Sequence, residues 1–295
     1  MTTAAVYAGD FPDPFALLVD GTYYAYATNA GTINVQLLSS RDLVSWTYLG
    51  DALPILPPWA EKGNTWAPAV LARPDGYVMY YTVREPRSGR QAISAATAAQ
   101  PEGPFVDSSG GPLVFQQDLG GSIDPSPFVD SGDQPYLLWK ADTNALGRRS
   151  SLWAQALAED GLSLEGPPTM LLEHDCQWER PLIEAPSAVV SEGQYHLFYS
   201  ANWWAGPDYA IGYAIADSLL GPYEKVTTRG PWMRSDGNVA GPGGQEFLLD
   251  ANGDLQMVFH GWEPTAVGYP RGARSLRVAR VVFDGSPRLD VAGGV

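Results

Sequence analysis

Three acids precede proline at widely separated points of the chain: Asp13-Pro14, Asp124-Pro125 and, one residue further off, Glu184-Ala185-Pro186. A single Asp-Pro says little, because it commonly opens a strand or turn. Here each acid heads a similar stretch: an apolar run, an Asp/Gly-type turn, then a run rich in Tyr, Trp and Phe. If these stretches are copies of one element around an axis, three carboxyls crowd together. Like charges at short range are costly unless one keeps a proton or a ligand uses them. One carboxyl kept protonated beside one kept ionised is an acid–base pair, suited to splitting a bond of the glycosidic type.

The elements that must position these acids form an internal repeat. Stretches of the same pattern begin at Asp13, Ala67, Asp124, Glu184 and, more weakly, Gly244. They recur roughly every 55–60 residues, a spacing found in propeller blades. Each reads as a hairpin whose turn supplies positive-φ positions. A second pattern follows each hairpin. Strand candidates close on Trp46, on Gly103-Pro104-Phe105 and on Gly221-Pro222-Tyr223, while 152–157 and 275–283 complete the five. Five units of four antiparallel strands predict an all-β, five-bladed β-propeller, a single domain over residues 1–295. Residues heading the units converge on the central channel.

Composition agrees. Aromatics are 12% and charged residues only 17% of 295 residues, with 32 Gly and 25 Pro, a mix suited to short strands and tight corners. A net charge of −15 argues against a phosphate backbone or an anionic membrane as partner and leaves a neutral oligosaccharide or polysaccharide open. Cys176 is the only cysteine, so neither an intrachain disulfide nor a cysteine metal cluster forms. No basic region followed by an apolar stretch opens the chain, and no apolar run reaches membrane-spanning length; the expectation is a cytoplasmic protein.

Taken in order, Phe11-Pro-Asp-Pro14, Thr65-Trp-Ala-Pro68, Ile123-Asp-Pro125, Ile183-Glu-Ala-Pro186, 197–202 (Leu-Phe-Tyr-Ser-Ala-Asn) and Gly221-Pro-Tyr223 resemble glycoside hydrolase family 43 over nearly the whole chain. The resemblance implies an inverting hydrolase. Asp13 would be the general base, Glu184 the general acid, and Asp124 the residue that raises the pKa of Glu184 and holds it in place. Trp66, heading unit two, would line the channel as a sugar platform, and Arg274 would contact the terminal sugar. Phe15, beside Asp13, and His260, at a strand end near the channel, complete the expected substrate-binding set. Trp139, Trp203 and Trp204 are further subsite candidates, while His196 reads as structural.

No cofactor is required by this reading and no metal ligand is assigned. Many relatives place a calcium or water cluster near the histidine of a fifth-blade Gly-Pro-Gly-His. Here Gly241-Pro-Gly-Gly-Gln245 puts Gly244 in that place, which argues against a histidine-linked calcium and leaves Gln245 as an oxygen donor. The favoured activity is an exo-acting α-L-arabinofuranosidase on cell-wall arabinan or arabinoxylan fragments. β-Xylosidase and endo-arabinanase are the near alternatives. A sugar-binding propeller without catalysis would be expected to have lost one acid, and the related fructan-cleaving enzymes carry different motifs around theirs.

Overall fold

The computed structural model describes residues 4–290, so the ends of the expected 1–295 domain, residues 1–3 and 291–295, lie outside the described residues. The chain opens with a short strand, β1 (Ala5–Tyr7). Blade one is β2 (Phe15–Val19), β3 (Thr22–Ala27), β4 (Gln36–Ser40) and β5 (Trp46–Asp51). Blade two is β6 (Glu61–Arg73), β7 (Gly76–Glu85) and β8 (Arg90–Ala98). Blade three follows as β9 (Ser122–Val129), β10 (Pro135–Ala141), β11 (Ser151–Leu157) and β12 (Leu164–Glu173), and blade four as β13 (Ile183–Ser191), β14 (Gln194–Ala201), β15 (Ala210–Ala216) and β16 (Glu224–Lys225). In blade five, β17 (Ala240–Leu249), β18 (Leu255–Trp262) and β19 (Ser275–Phe283) are completed by β1, which pairs antiparallel with β19, while β20 (Pro287–Leu289) pairs further along it. The fold is a five-bladed β-propeller.

The blades follow the expected four-stranded plan, with two details that the sequence did not reveal. Blade two has three full strands, and its fourth is reduced to two isolated antiparallel bridges to β8, Ile93–Val114 and Thr97–Val106. The outer strand of blade five comes from the N-terminal end, so the ring is closed by a segment distant in sequence. A three-residue strand carries too little periodicity to be read from sequence.

Turn chemistry sets the hairpins. Asp20 and Gly21, at φ 47° and 73°, form the two-residue loop between Val19 and Thr22, and Glu192 and Gly193 do the same in blade four. Both loops need positive φ at two successive positions, as a type I′ turn does.

The core is five wedges, one between each pair of neighbouring blades. Tyr26 and Leu37 of blade one meet Val70, Met79 and Tyr81 of blade two. The opposite face of β7, with Val78 and Tyr80, meets Leu137 and Trp139 of blade three. The wedge between blades three and four holds Leu138, Leu152, Leu197 and Tyr199. Phe198 and Ile211 pack on Met257 and Phe259 of blade five, and Val258 and Leu276 on Ala25 and Leu38 of blade one close the circle. A strand buried on both faces reads as a continuous apolar run, which explains Tyr80-Tyr81 and Leu137-Leu138-Trp139. Trp139 is therefore core, its Nε1 donating to Gln116 Oε1 at 2.8 Å. Among the described residues no helix is long and apolar enough to cross a membrane.

Candidate active site

Each blade's first strand carries one extra residue where it leaves the channel. The pairing runs from Trp66–Thr82 to Ala69–Tyr80, from Ile123–Lys140 to Ser126–Leu138, from Glu184–Ser200 to Ser187–Phe198 and from Gly243–His260 to Glu246–Val258. In blade one, Thr28 N–H donates to the Pro12 carbonyl at 3.1 Å and Phe15 pairs with Tyr26. A bulge of this kind bends the strand and re-aims its side chains. The bulged residue has positive φ in all five blades: Asp13 (54°), Ala67 (43°), Asp124 (56°), Ala185 (51°) and Gly244 (59°). All five line one narrow central channel. Left-handed backbone costs a residue with a Cβ roughly 1–2 kcal/mol, with Asp more tolerant than Ala.

This repeat corrects one expectation. Asp13 and Asp124 occupy equivalent positions, but Glu184 does not; Ala185 takes that place. Glu184 lies one residue earlier, level with Trp66 and Ile123. The third acid therefore reaches the others from a regular strand position rather than from the bulge.

Asp13, Asp124 and Glu184 come together on one cavity of about 410 Å³, together with Trp66 and Arg274. Trp203 and Trp204 also line it. Phe15 does not: it is packed in the wedge between blades one and two, beside the channel, because the bulge at Asp13 turns it away from the cavity. His260 is likewise corrected. Its ring is fully buried behind Asp13 and lines no part of the cavity.

What His260 does is accept the Asp13 backbone N–H on Nδ1 at 3.0 Å. Its ring stacks on Tyr209 at 5.8 Å. Burial, then the charge of Arg274, push its pKa down to about 3 against the opposing pull of Asp13. The ring is thus neutral at ordinary pH, and its 3.4 Å approach to Asp13 Oδ1 is not an ion pair. In the window between about 6.5 and about 3 the unfolded chain takes up this proton and the folded one does not, so this group's contribution to stability falls as pH falls. At ~1.4 kcal/mol per pH unit, the wild type is expected to lose roughly 2 kcal/mol more than His260→Gln on going from pH 6.5 to 5, since Gln keeps an acceptor without a proton to gain. Urea unfolding at both pH values measures this, and equal losses would refute it.

The Asp13 carboxylate is held from two sides. Thr28 Oγ1 donates to Oδ2 at 2.7 Å, and an Arg274 nitrogen lies 3.4 Å from Oδ1. Burial raises the Asp13 pKa, but Arg274, then His260 in the acid range where both groups titrate, and the Thr28 hydrogen bond together outweigh it and keep it below its ordinary value. Arg274 is fixed in turn: its guanidinium lies 4.6 Å from the Trp204 ring, its Nε donates to Tyr269 at 3.3 Å, and its backbone N–H donates to Asp10 at 2.8 Å.

Glu184 accepts from Tyr209 OH on Oε1 at 2.9 Å and from Lys140 Nζ on Oε2 at 3.0 Å. Lys140 also donates to Asp142 at 3.1 Å and is almost wholly buried. Asp124 accepts the Ala185 N–H at 3.0 Å. Its pKa lies well above the ordinary value, through burial first and then the charge of Glu184, against the opposing pull of Lys140. The sequence led to the expectation of a raised pKa on Glu184; the shift that the geometry produces falls on Asp124, its neighbour.

Sequence reasoning missed Lys140, Asp142, Tyr209 and Thr28. Lys140 did carry a signal, a lone charge ending the apolar run Tyr136-Leu-Leu-Trp139; Tyr209, on the turn Gly206-Pro-Asp-Tyr209, carried none. The residues at the missing-histidine position do not fit a cation. Gln245 Oε1 accepts from Ser200 Oγ at 2.8 Å and its Nε2 donates to the Ala185 carbonyl at 2.7 Å, so both ends are committed to protein. A Cβ at Gly244 would meet His260 Nδ1 at 2.6 Å, which leaves no room for a side chain there.

The sequence pattern of glycosyl hydrolases family 43 matches residues 2–287. A β-D-galactofuranosidase from Aspergillus niger is 26% identical over 86% of this chain and 75% of its own length. An extracellular exo-α-(1→5)-L-arabinofuranosidase from Cellvibrio japonicus is 25% identical over 82% of this chain and 72% of its own. A crystal structure of a thermostable family-43 glycoside hydrolase superposes with a TM-score of 0.85 at 28% identity, covering 95% of this chain and 92% of that one.

Proposed function

The chain belongs to glycosyl hydrolases family 43, and from that premise we propose that it is an inverting exo-α-L-arabinofuranosidase. The observation that carries the chemistry is the division of the three carboxyls at one cavity: Asp13 held by Arg274 and Thr28, across from Asp124, whose burial beside Glu184 favours its protonated form. In the proposed reaction Asp13 takes a proton from a water molecule as the water oxygen bonds to the anomeric carbon. The glycosidic C–O bond breaks as the leaving oxygen receives the proton of the Asp124–Glu184 pair through Glu184. Trp66, Trp203 and Trp204 supply apolar faces for the sugar rings.

A furanose is supported by the names of two relatives, a galactofuranosidase and an arabinofuranosidase. A cavity near the lower end of small-ligand pocket volumes favours a terminal unit over a long strand. β-Xylosidase and endo-arabinanase action are the alternatives that the test must separate. Aryl α-L-arabinofuranoside is expected to be hydrolysed in preference to aryl β-D-xyloside, with the first-formed sugar in the inverted anomeric configuration by proton NMR. Preference for the xyloside, or cleavage of debranched arabinan alone, would overturn the exo-arabinosidase reading; retained configuration would overturn inversion.

A further inference from the structure

Four of the five bulges are tied to the preceding blade by one repeated hydrogen bond. The residue that pairs with the level just before the bulge points a side-chain acceptor at the next blade's bulged N–H. His260 Nδ1 accepts from Asp13, Thr28 Oγ1 from Ala67 at 3.0 Å, Thr82 Oγ1 from Asp124 at 3.1 Å and Ser200 Oγ from Gly244 at 2.8 Å. The fifth position is Lys140, which has three donors and no acceptor. Here the ring is mended differently: the Ala185 N–H goes to the Asp124 carboxylate, and the ammonium turns to Glu184. A position where the fold calls for a hydroxyl or an imidazole is filled by a buried cation instead.

We propose that Lys140 is a positioning residue for the proton-donating side of the site: it fixes Glu184 and, balanced by Asp142, sets the pH at which the Asp124–Glu184 pair releases its proton. Burial disfavours the ammonium, but Glu184, Asp142 and Asp124 outweigh this and keep it charged. The groups around the pair are Lys140 from the end of β10, Asp142 just after it, which lines the same cavity and binds Lys140, Tyr209 from the turn before β15, and Asp13 from blade one, itself covered by Arg274 and the neutral His260. A cation at this range favours the ionised pair, so removing it should let the pair hold its proton to higher pH. Removing Asp142 leaves the cation less compensated and should act in the opposite direction.

The experiment compares wild type with Lys140→Met, Lys140→Thr and Asp142→Asn. Threonine offers the acceptor found at the matching positions of blades one and two, so it guards against a variant that merely fails to fold. The alkaline limb of the kcat/KM profile is expected to move up by roughly 1–3 pH units in both Lys140 variants and down in Asp142→Asn. This kinetic arm rests on the acid and base roles proposed above. A second arm does not: carbon-13 NMR titration of the side-chain carboxyls without substrate should show the same opposite displacements for the pair. If the wild type cleaves no pentoside, the substrate reading fails while the titration still decides this one. Limbs or titration curves that coincide with wild type, even with lowered activity, would reduce Lys140 to a packing role and overturn the proposal.

Discussion

Replacement of Asp13 by asparagine is expected to lower kcat/KM on aryl arabinofuranoside by roughly 10³-fold, within the 10²–10⁴ range of general acid–base catalysis, with little loss of fold. Asparagine is nearly isosteric, and its side-chain oxygen can still accept from Thr28 Oγ1. The backbone N–H still reaches His260 Nδ1, and asparagine also tolerates the left-handed φ of 54°. What is lost is the ionised oxygen that takes the proton of water. Added azide, which needs no base, is expected to restore turnover as a glycosyl azide. Activity within a few-fold of wild type would remove Asp13 from the role of base. Absence of azide rescue, together with a lowered melting temperature, would point to damage at the bulge instead.

Glutamine at position 184 is expected to produce a loss that depends on the leaving group. An arabino-oligosaccharide expels an alkoxide unless it is protonated, so its kcat/KM should fall by about 10³–10⁴-fold. A dinitrophenyl glycoside leaves as a stable anion, and its rate should fall far less. Glutamine is the informative substitution because its oxygen can still accept from Lys140 while its NH2 can donate to the Tyr209 hydroxyl, which accepts as well as donates. Alanine would leave the buried Lys140 cation beside a void with one of its two carboxylate partners, Asp142, remaining, and breaking a buried pair costs up to about 3–5 kcal/mol. Steady-state kinetics across aryl leaving groups of graded acidity measures the effect. A loss equal for good and poor leaving groups would show that Glu184 does not donate the proton.

Much of the scaffold was legible in the chain. Apolar runs closed by Asp20-Gly21 and Glu192-Gly193 mark hairpins wherever they occur, since turn φ angles and burial periodicity are properties of a few adjacent residues. Five such copies imply radial closure, and Asp13, Asp124 and Glu184 stood out because each opens a copy. The strand β1 escaped because three residues carry no period, and the fourth strand of blade two because it shrinks to two isolated bridges.

The sequence by itself determined which residue types recur at the inner end of each blade, and so which carboxyls could meet. Tertiary structure decided how they meet. The bulge adds one residue to the inner strand, and with side chains alternating along a strand this decides what faces the cavity. It sets Glu184 one level away from Asp13 and Asp124 and turns Phe15 into the core. Register across blades, which no local pattern encodes, brings His260 beneath Asp13 across 247 residues and Lys140 against Glu184 across 44. A charge's proton affinity depends on such neighbours through burial and Coulomb forces, which is why the carboxyls could be named from sequence while the place of the proton could not.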